Sequence, residues 1–157
     1  MLSISRILVP TDFSEPSDEA LQYAKGLAEK FNASLHVLHV LEDLAAHAWT
    51  TEVYVSALPG VHEEMERQAR ERLDQALSPD EKAKYKAELV LRMGSAFVEV
   101  VRYAREQAID LIVMGTHGRG AIAHMLLGSV AERVVRKAPC PVLTVRHKSQ
   151  QPGDIAV

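Results

Sequence analysis

The residues best placed to do chemistry form one spaced set: Gly115-Thr116-His117-Gly118, nine further residues, then Gly128-Ser129. They follow directly on the apolar run Leu111-Ile112-Val113-Met114. Such a run reads as a buried parallel strand that delivers the glycine segment to the carboxyl edge of a sheet. Gly128-Ser129 would open a helix with the apolar stripe Val130, Ala131, Val134, Val135 and Ala138. Backbone N–H groups then converge on an anion from two sides, as in a phosphate cradle. Glycine suits both places because it admits positive φ and lets phosphate oxygens approach the main chain with no Cβ in the way. Ser129 adds a hydroxyl donor at the helix start. Three glycines alone would favour a plainer role as turn formers beside a strand.

Two known phosphate patterns can be held against the segment. The P-loop form needs Gly, four residues, then Gly-Lys-Ser/Thr, and the chain has no such stretch. Gly118-Arg119-Gly120-Ala121-Ile122-Ala123 fits a relaxed dinucleotide pattern. That pattern belongs after a first strand, with an acid about 20 residues further on to hold a ribose. Here the strand is late and the distant segment is Ala138-Pro139-Cys140-Pro141, so the match is accidental.

The elements that must position these residues alternate. Arg6-Ile7-Leu8-Val9-Pro10 reads as a first buried strand, followed by Thr11-Asp12-Phe13-Ser14. A helix follows, capped by Ser14 or Glu15, with Pro16 in its first turn, Asp18 and Glu19 near its positive end, and Leu21, Ala24, Leu27, Ala28 and Phe31 as its buried stripe. Asn32-Ala33 ends it, and residues 34–41 read as a second strand. His36 and His39 fall on opposite faces of that strand, a poor metal pair. Residues 42–61 show no clean period, and Trp49, Tyr54, Val55 and Leu58 make them a partly packed insertion. A helix with a charged outer face runs from His62 to Leu77, with Met65, Ala69, Leu73 and Ala76 inward. Ser78-Pro79-Asp80-Glu81 reads as a turn, and Ala87–Met93 as a third strand of edge character. Phe97, Val100, Val101 and Ala104 give another helix; then come the strand at 110–114, the helix from Gly128 and a last strand over Pro141–Arg146. The tail 147–157 is polar and is expected to be mobile.

Alternating strands and helices imply right-handed crossovers and an open, doubly wound parallel sheet covered on both faces. Ligands of such sheets sit at the carboxyl ends of strands where the winding reverses. If the first and fourth strands are neighbours, Asp12 and the 115–118 loop face each other there. The last strand would be an exposed edge carrying Val142, Leu143 and Val145, which a second copy of the chain could cover by antiparallel pairing.

Composition narrows the classes. The 157 residues fit one domain, with 47% hydrophobic and 25% charged residues. A net charge of −3 gives no general polyanion-binding surface, hence no nucleic-acid partner. No apolar run approaches the roughly 20 residues of a membrane helix, and Met1–Arg6 lacks an apolar leader core. A cytoplasmic protein with no membrane association is expected. Cys140, the single cysteine, excludes an internal disulfide and reads as a small buried apolar residue.

From about Arg6 to Arg146 the chain resembles the universal stress protein family, in its nucleotide-binding branch. The resemblance rests on Ile7–Ser14, on Asp110–Gly118, on Gly128-Ser129-Val130-Ala131-Glu132 and on Ala138-Pro139-Cys140-Pro141-Val142. Its Gly-x2-Gly-x9-Gly-Ser spacing marks the ATP-binding members. The resemblance implies one domain over 1–146, built on a Rossmann-like sheet of order 3-2-1-4-5 of the adenine nucleotide alpha-hydrolase-like kind. It implies a triphosphate on Gly115, Gly118, Gly128, Ser129 and Val130. Asp12 would lie near the ribose or a bound metal, with ATP and Mg2+ as the cofactors. Pro10, Thr11 and the Val40 backbone would hold adenine and sugar, with Met114 beneath. Arg119 and His117 are added phosphate contacts that the motif does not require, and simple exposure is the plainer role for His117. The family also points to a homodimer through Pro141–Arg146.

The function these residues favour is a stress-response module whose ATP occupancy modulates dimer or partner interactions. A slow ATPase or phosphoryl-transfer enzyme is the alternative, and it needs a positioned base and an electrophilic clamp. Asp12 as metal ligand, with His117, Arg119 and His124 as loose candidates, makes no committed catalytic set, and Asp12 has a plain role in capping the turn. An empty-site dimer scaffold is disfavoured by the complete glycine motif.

Overall fold

Apolar runs of about five residues without alternation can be buried only if both faces of their strands are covered, which is the signature of a parallel sheet between helices. The computed structural model of the protein, describing residues 3–42, 60–117 and 127–146, shows this architecture. In chain order the elements are β1 (Arg6–Pro10), α1 (Glu15–Phe31), β2 (Ser34–Leu41), α2 (Val61–Gln75) and α3 (Pro79–Lys84). These are followed by β3 (Glu88–Met93), α4 (Ala96–Glu106), β4 (Leu111–Gly115), α5 (Ser129–Lys137) and β5 (Val142–Val145). The five strands form one sheet of order 3-2-1-4-5, and every pairing is parallel. Ile7, Leu8 and Val9 of the central strand are wholly buried.

The sheet divides the core into two. Ile7, Val9, Leu35 and Val37 pack with Ala20, Leu21, Ala24 and Ala28 of α1 and Leu73 of α2. On the opposite face Leu8, Leu38, Ile112 and Met114 pack with Val100, Tyr103 and Ala104 of α4 and Ala131 and Val134 of α5. The winding reverses between β1 and β4, which pair Ile7 with Leu111 and Leu8 with Ile112.

Local chemistry explains the boundaries. Ser14 is the N-cap of α1, Pro16 lies in its first turn, and Glu15 and Asp18 sit at the positive end. Asn32, at φ 53°, closes it in the left-handed conformation. On α2, Arg67 pairs with Glu64 and Glu71, and Arg70 pairs with Glu66, so its charged face is solvated by ion pairs along the helix.

Three local expectations are corrected. Ser78–Glu81 opens α3 instead of merely turning: Ser78 Oγ accepts from the Glu81 N–H and Glu81 accepts from the Ser78 N–H, a capping box with Pro79 at the helix start. Val135 is 46% exposed, because the buried side of α5 runs through Ala131 and Val134. Gly115 is the last residue of β4, not part of the loop beyond it. Residues 43–59 of the expected insertion and the tail 147–157 lie outside the described residues. Cys140 is half-buried against the second core cluster, and burial raises its thiol pKa.

His36 and His39 do point to opposite faces of β2. His36 is buried, with Nδ1 2.8 Å from Tyr103 Oη and Nε2 3.3 Å from Ser34 Oγ. Burial lowers its pKa below the ordinary value, with Glu88 partly opposing and Arg6 adding to the shift. The unfolded chain therefore binds a proton at this side chain that the fold refuses. Stability should fall as pH drops below about 6.5, with a slope of at most about 1.4 kcal/mol per pH unit, and level off once the folded value is passed. Urea unfolding from pH 7.5 to 5 measures that slope. It should be shallower in His36→Gln; an equal slope in both proteins would assign the acid sensitivity elsewhere.

Candidate functional site

The carboxyl end of β1 runs into a turn closed by its own short polar side chains, as expected where Thr, Asp and Ser follow a strand. Thr11 is buried, and each of its polar groups is engaged. Its N–H donates to Leu38 O at 2.9 Å, and its carbonyl accepts from His39 Nδ1 at 2.8 Å. Its Oγ1 lies 3.1 Å from Ser17 Oγ and accepts from the Phe13 N–H at 3.0 Å. Asp12 Oδ1 accepts from the Ser14 N–H at 3.1 Å and from Ser14 Oγ at 2.5 Å. Phe13 stands between them at φ 62°, in the left-handed region. Thr11 thus supports the turn, and Asp12 is held half-exposed at the sheet edge by Ser14.

Across the switch point, β4 ends at Gly115. A Cβ there would stand 2.9 Å from the carbonyl oxygen of Pro16 and 3.0 Å from its carbon, so this glycine lets the start of α1 lie against the strand end. The Thr116 N–H donates to Val145 O at 3.0 Å, and its carbonyl accepts from the Gly128 N–H at 2.6 Å. That second bond joins the strand end directly to the start of α5. Gly128 is the N-cap at φ −67°, and the first α5 bond runs from the Glu132 N–H to Gly128 O. The N–H groups of Ser129, Val130 and Ala131 therefore have no acceptor within the helix. Positive φ is not what Gly115 and Gly128 require: among the described glycines it belongs to Gly60 and Gly94, whereas Gly115 answers to close packing and Gly128 to capping.

The expected residues assemble in part. Pro10 ends β1 and Thr11 and Asp12 follow it, Met114 and Gly115 lie at the end of neighbouring β4, and Gly128, Ser129 and Val130 at the α5 start bonded to Thr116. Val40, near the end of β2 opposite Arg92, packs against the second core cluster, as does Met114. His117 Nδ1 lies 3.0 Å from Thr116 Oγ1. Gly118, Arg119 and His124 lie outside the described residues. Sequence reading gave Ser14 a capping role only, and Ser17 and Thr116 none, whereas all three brace the two loops. The run of hydroxyl and carboxyl residues after β1 was a usable sign for the first two, while nothing in its residue type singles out buried Thr116.

The site's electrostatics pair donors with acids. The α5 start offers N–H groups with no acceptor inside the helix and the positive end of a helix dipole. Asp12 lies close enough to Asp18 to help raise the Asp18 carboxyl pKa, after burial as the larger cause, with Arg72 opposing. No group of three or more His, Cys, Asp or Glu able to hold a metal occurs among the described residues. A single carboxylate fits Mg2+, which is held by one or two carboxylates together with phosphate oxygens and water.

These features define an open parallel α/β domain with its donors and one carboxylate gathered at the switch point. The universal stress protein family profile matches residues 3–146, and the chain belongs to that family. Universal stress protein MJ0531 of Methanocaldococcus jannaschii is 32% identical over 93% of this chain and 84% of its own length. The solved structure of MJ0577 from the same organism superposes with a TM-score of 0.78 at 28% identity, covering 92% of this chain and 97% of that one. A universal stress protein in complex with cAMP superposes with a TM-score of 0.64 at 26% identity, covering 92% and 98%. The fold shared with these structures is Rossmann-like.

Proposed function

We propose that this protein is an ATP-binding stress-response module whose nucleotide occupancy modulates its dimer or partner interactions. The observation that carries the reading is the Thr116–Gly128 hydrogen bond, which sets the first N–H groups of α5 at the end of β4, beside the strand that leads into Asp12. Gly115, Gly128, Ser129 and Val130, with Gly118 and Arg119, hold the phosphates; Pro10, Thr11, Val40 and Met114 border adenine and sugar. Asp12 takes the ribose or Mg2+, whose contribution is to neutralise phosphate charge. The cAMP complex of a related protein supports an adenine nucleotide without deciding the number of phosphates. Denaturing freshly purified protein and identifying the released small molecule by mass spectrometry tests this. ATP or ADP near one per chain is expected; AMP or a cyclic nucleotide would redirect the reading, and none would favour a scaffold.

The dimer belongs to the same proposal. Among the described residues β5 pairs on one side only, with β4, and a strand edge left so presents a row of backbone groups to be covered. The burial pattern refines the test. Val145 is part of the core at 6% exposure, whereas Leu143 is 38% exposed. Leu143→Glu should therefore give monomers in light scattering with the fold intact. A wild-type protein that is already monomeric at tens of micromolar, an order of magnitude for moderate affinity, would end this proposal.

A further inference from the structure

The turn that carries Asp12 has a bulky aromatic at its centre in a conformation that disfavours any residue with a Cβ: Phe13 at φ 62°. Such a conformation persists only where its surroundings hold it, and two contacts on the Phe13 ring do so. The His39 ring lies 4.4 Å away, tilted by 35°, and His39 Nδ1 in turn donates to the Thr11 carbonyl. The other contact comes from a separate element. Arg72, in the last turn of α2, sets its guanidinium carbon 4.5 Å from the ring centroid, within the range of a cation–π attraction.

We infer that Arg72 is a positioning residue for the Asp12 turn: by stacking on Phe13 it holds the ring by His39 and keeps the Thr11–Ser14 backbone in its left-handed bend. Helix α2, which contributes none of the residues assigned to the ligand, thereby becomes part of the support of the site. Coupling of this kind is reciprocal: whatever shifts α2 loosens the Asp12 turn, and whatever binds at Asp12 tightens the hold on α2. The effect on ligand affinity rests on the nucleotide reading; the effect on the turn does not.

The turn supplies its own reporters, since the Phe13 N–H is bonded to Thr11 Oγ1 and the Ser14 N–H to Asp12 Oδ1. Amide exchange followed by NMR in nucleotide-free protein compares wild type, Arg72→Gln and Arg72→Lys, with the core amides of Leu8 and Val37 as references. In Arg72→Gln the Phe13 and Ser14 amides should exchange about two- to fivefold faster, the range an exposed cation–π contact supplies. The reference amides should not change, and Arg72→Lys should recover part of the protection. Calorimetric titration with Mg-ATP should show a loss of similar size in Arg72→Gln. Adding Arg72→Gln to Phe13→Leu should cost nothing more, because the ring that Arg72 grips is gone. Unchanged exchange at both amides overturns the inference, as does a full additional loss in the double variant. Wild-type protein that binds no ATP while the amides still respond would refute the nucleotide reading and leave the clamp standing.

Discussion

Gly115→Ala is expected to lower the stability of the ligand-free protein by about 2 kcal/mol, within the roughly 1–3 kcal/mol typical of overpacking a close contact. The added Cβ would stand 2.9 Å from Pro16 O and 3.0 Å from Pro16 C. Those are backbone atoms at the head of α1, so no flexible side chain can give way. Relief requires α1 to retreat from β4, which disturbs the packing of Ala20, Leu21 and Ala24 beneath it. For a chain of this size the loss corresponds to a fall in Tm of about 4–8 °C. Thermal unfolding without nucleotide measures it. The condition matters, because a glycine needed only for close approach of phosphate would leave the ligand-free protein as stable as wild type. An unchanged Tm would thus return Gly115 to a purely ligand-binding role.

That distinction marks where sequence reading succeeded and where it stopped. Strands β1, β2 and β4 were legible because continuous apolar runs such as Ile7-Leu8-Val9 have no other way to be buried, and α1 because Ser14, Pro16 and Asn32 mark its limits. The order 3-2-1-4-5 came through family resemblance and agrees with the sheet. The placing of Gly115 by a strand end and of Gly128 at a helix start was legible in the sequence, but the packing of Gly115 against α1 was not. A clash with Pro16, nearly a hundred positions away, has no local signal. Val135 misled because an apolar residue beside Val134 on a helix lies about a quarter-turn around from it, enough to face solvent. The capping box at Ser78 was visible as Ser-x-x-Glu with proline at the first position, and was passed over because the helix it opens is only six residues long. The contacts on Phe13 join the turn after β1 to β2 and α2, and such tertiary contacts lie beyond any reading of spacing alone.

Asp12→Asn should separate a nucleotide-binding module from an ATPase. The substitution is well suited to the site, because Oδ1 of Asp12 is the acceptor for both the N–H and the hydroxyl of Ser14, and an asparagine carbonyl oxygen can accept both bonds. The turn is retained and the negative charge is removed. With the charge gone, the Asp18 carboxyl loses one of the causes that raise its pKa and should titrate closer to its ordinary value, which side-chain NMR can follow as proof that the change is electrostatic. Binding of Mg-ATP should weaken by about tenfold or more, since a neutral amide replaces a hard anionic ligand of nearly the same shape, while ATP binding in excess chelator should change far less. Turnover decides the rest. An evolved ATPase should reach about 1 s⁻¹ or more and lose that rate in the variant. Hydrolysis at least about a hundredfold slower is expected in wild type, because a water attacking the γ-phosphate needs a residue to orient it, and His117, the described histidine of the glycine segment, has Nδ1 engaged with Thr116 Oγ1. Phosphate release at ~1 s⁻¹ that co-purifies with the wild-type protein and vanishes in Asp12→Asn would replace the reading as a nucleotide-binding module with an enzymatic one.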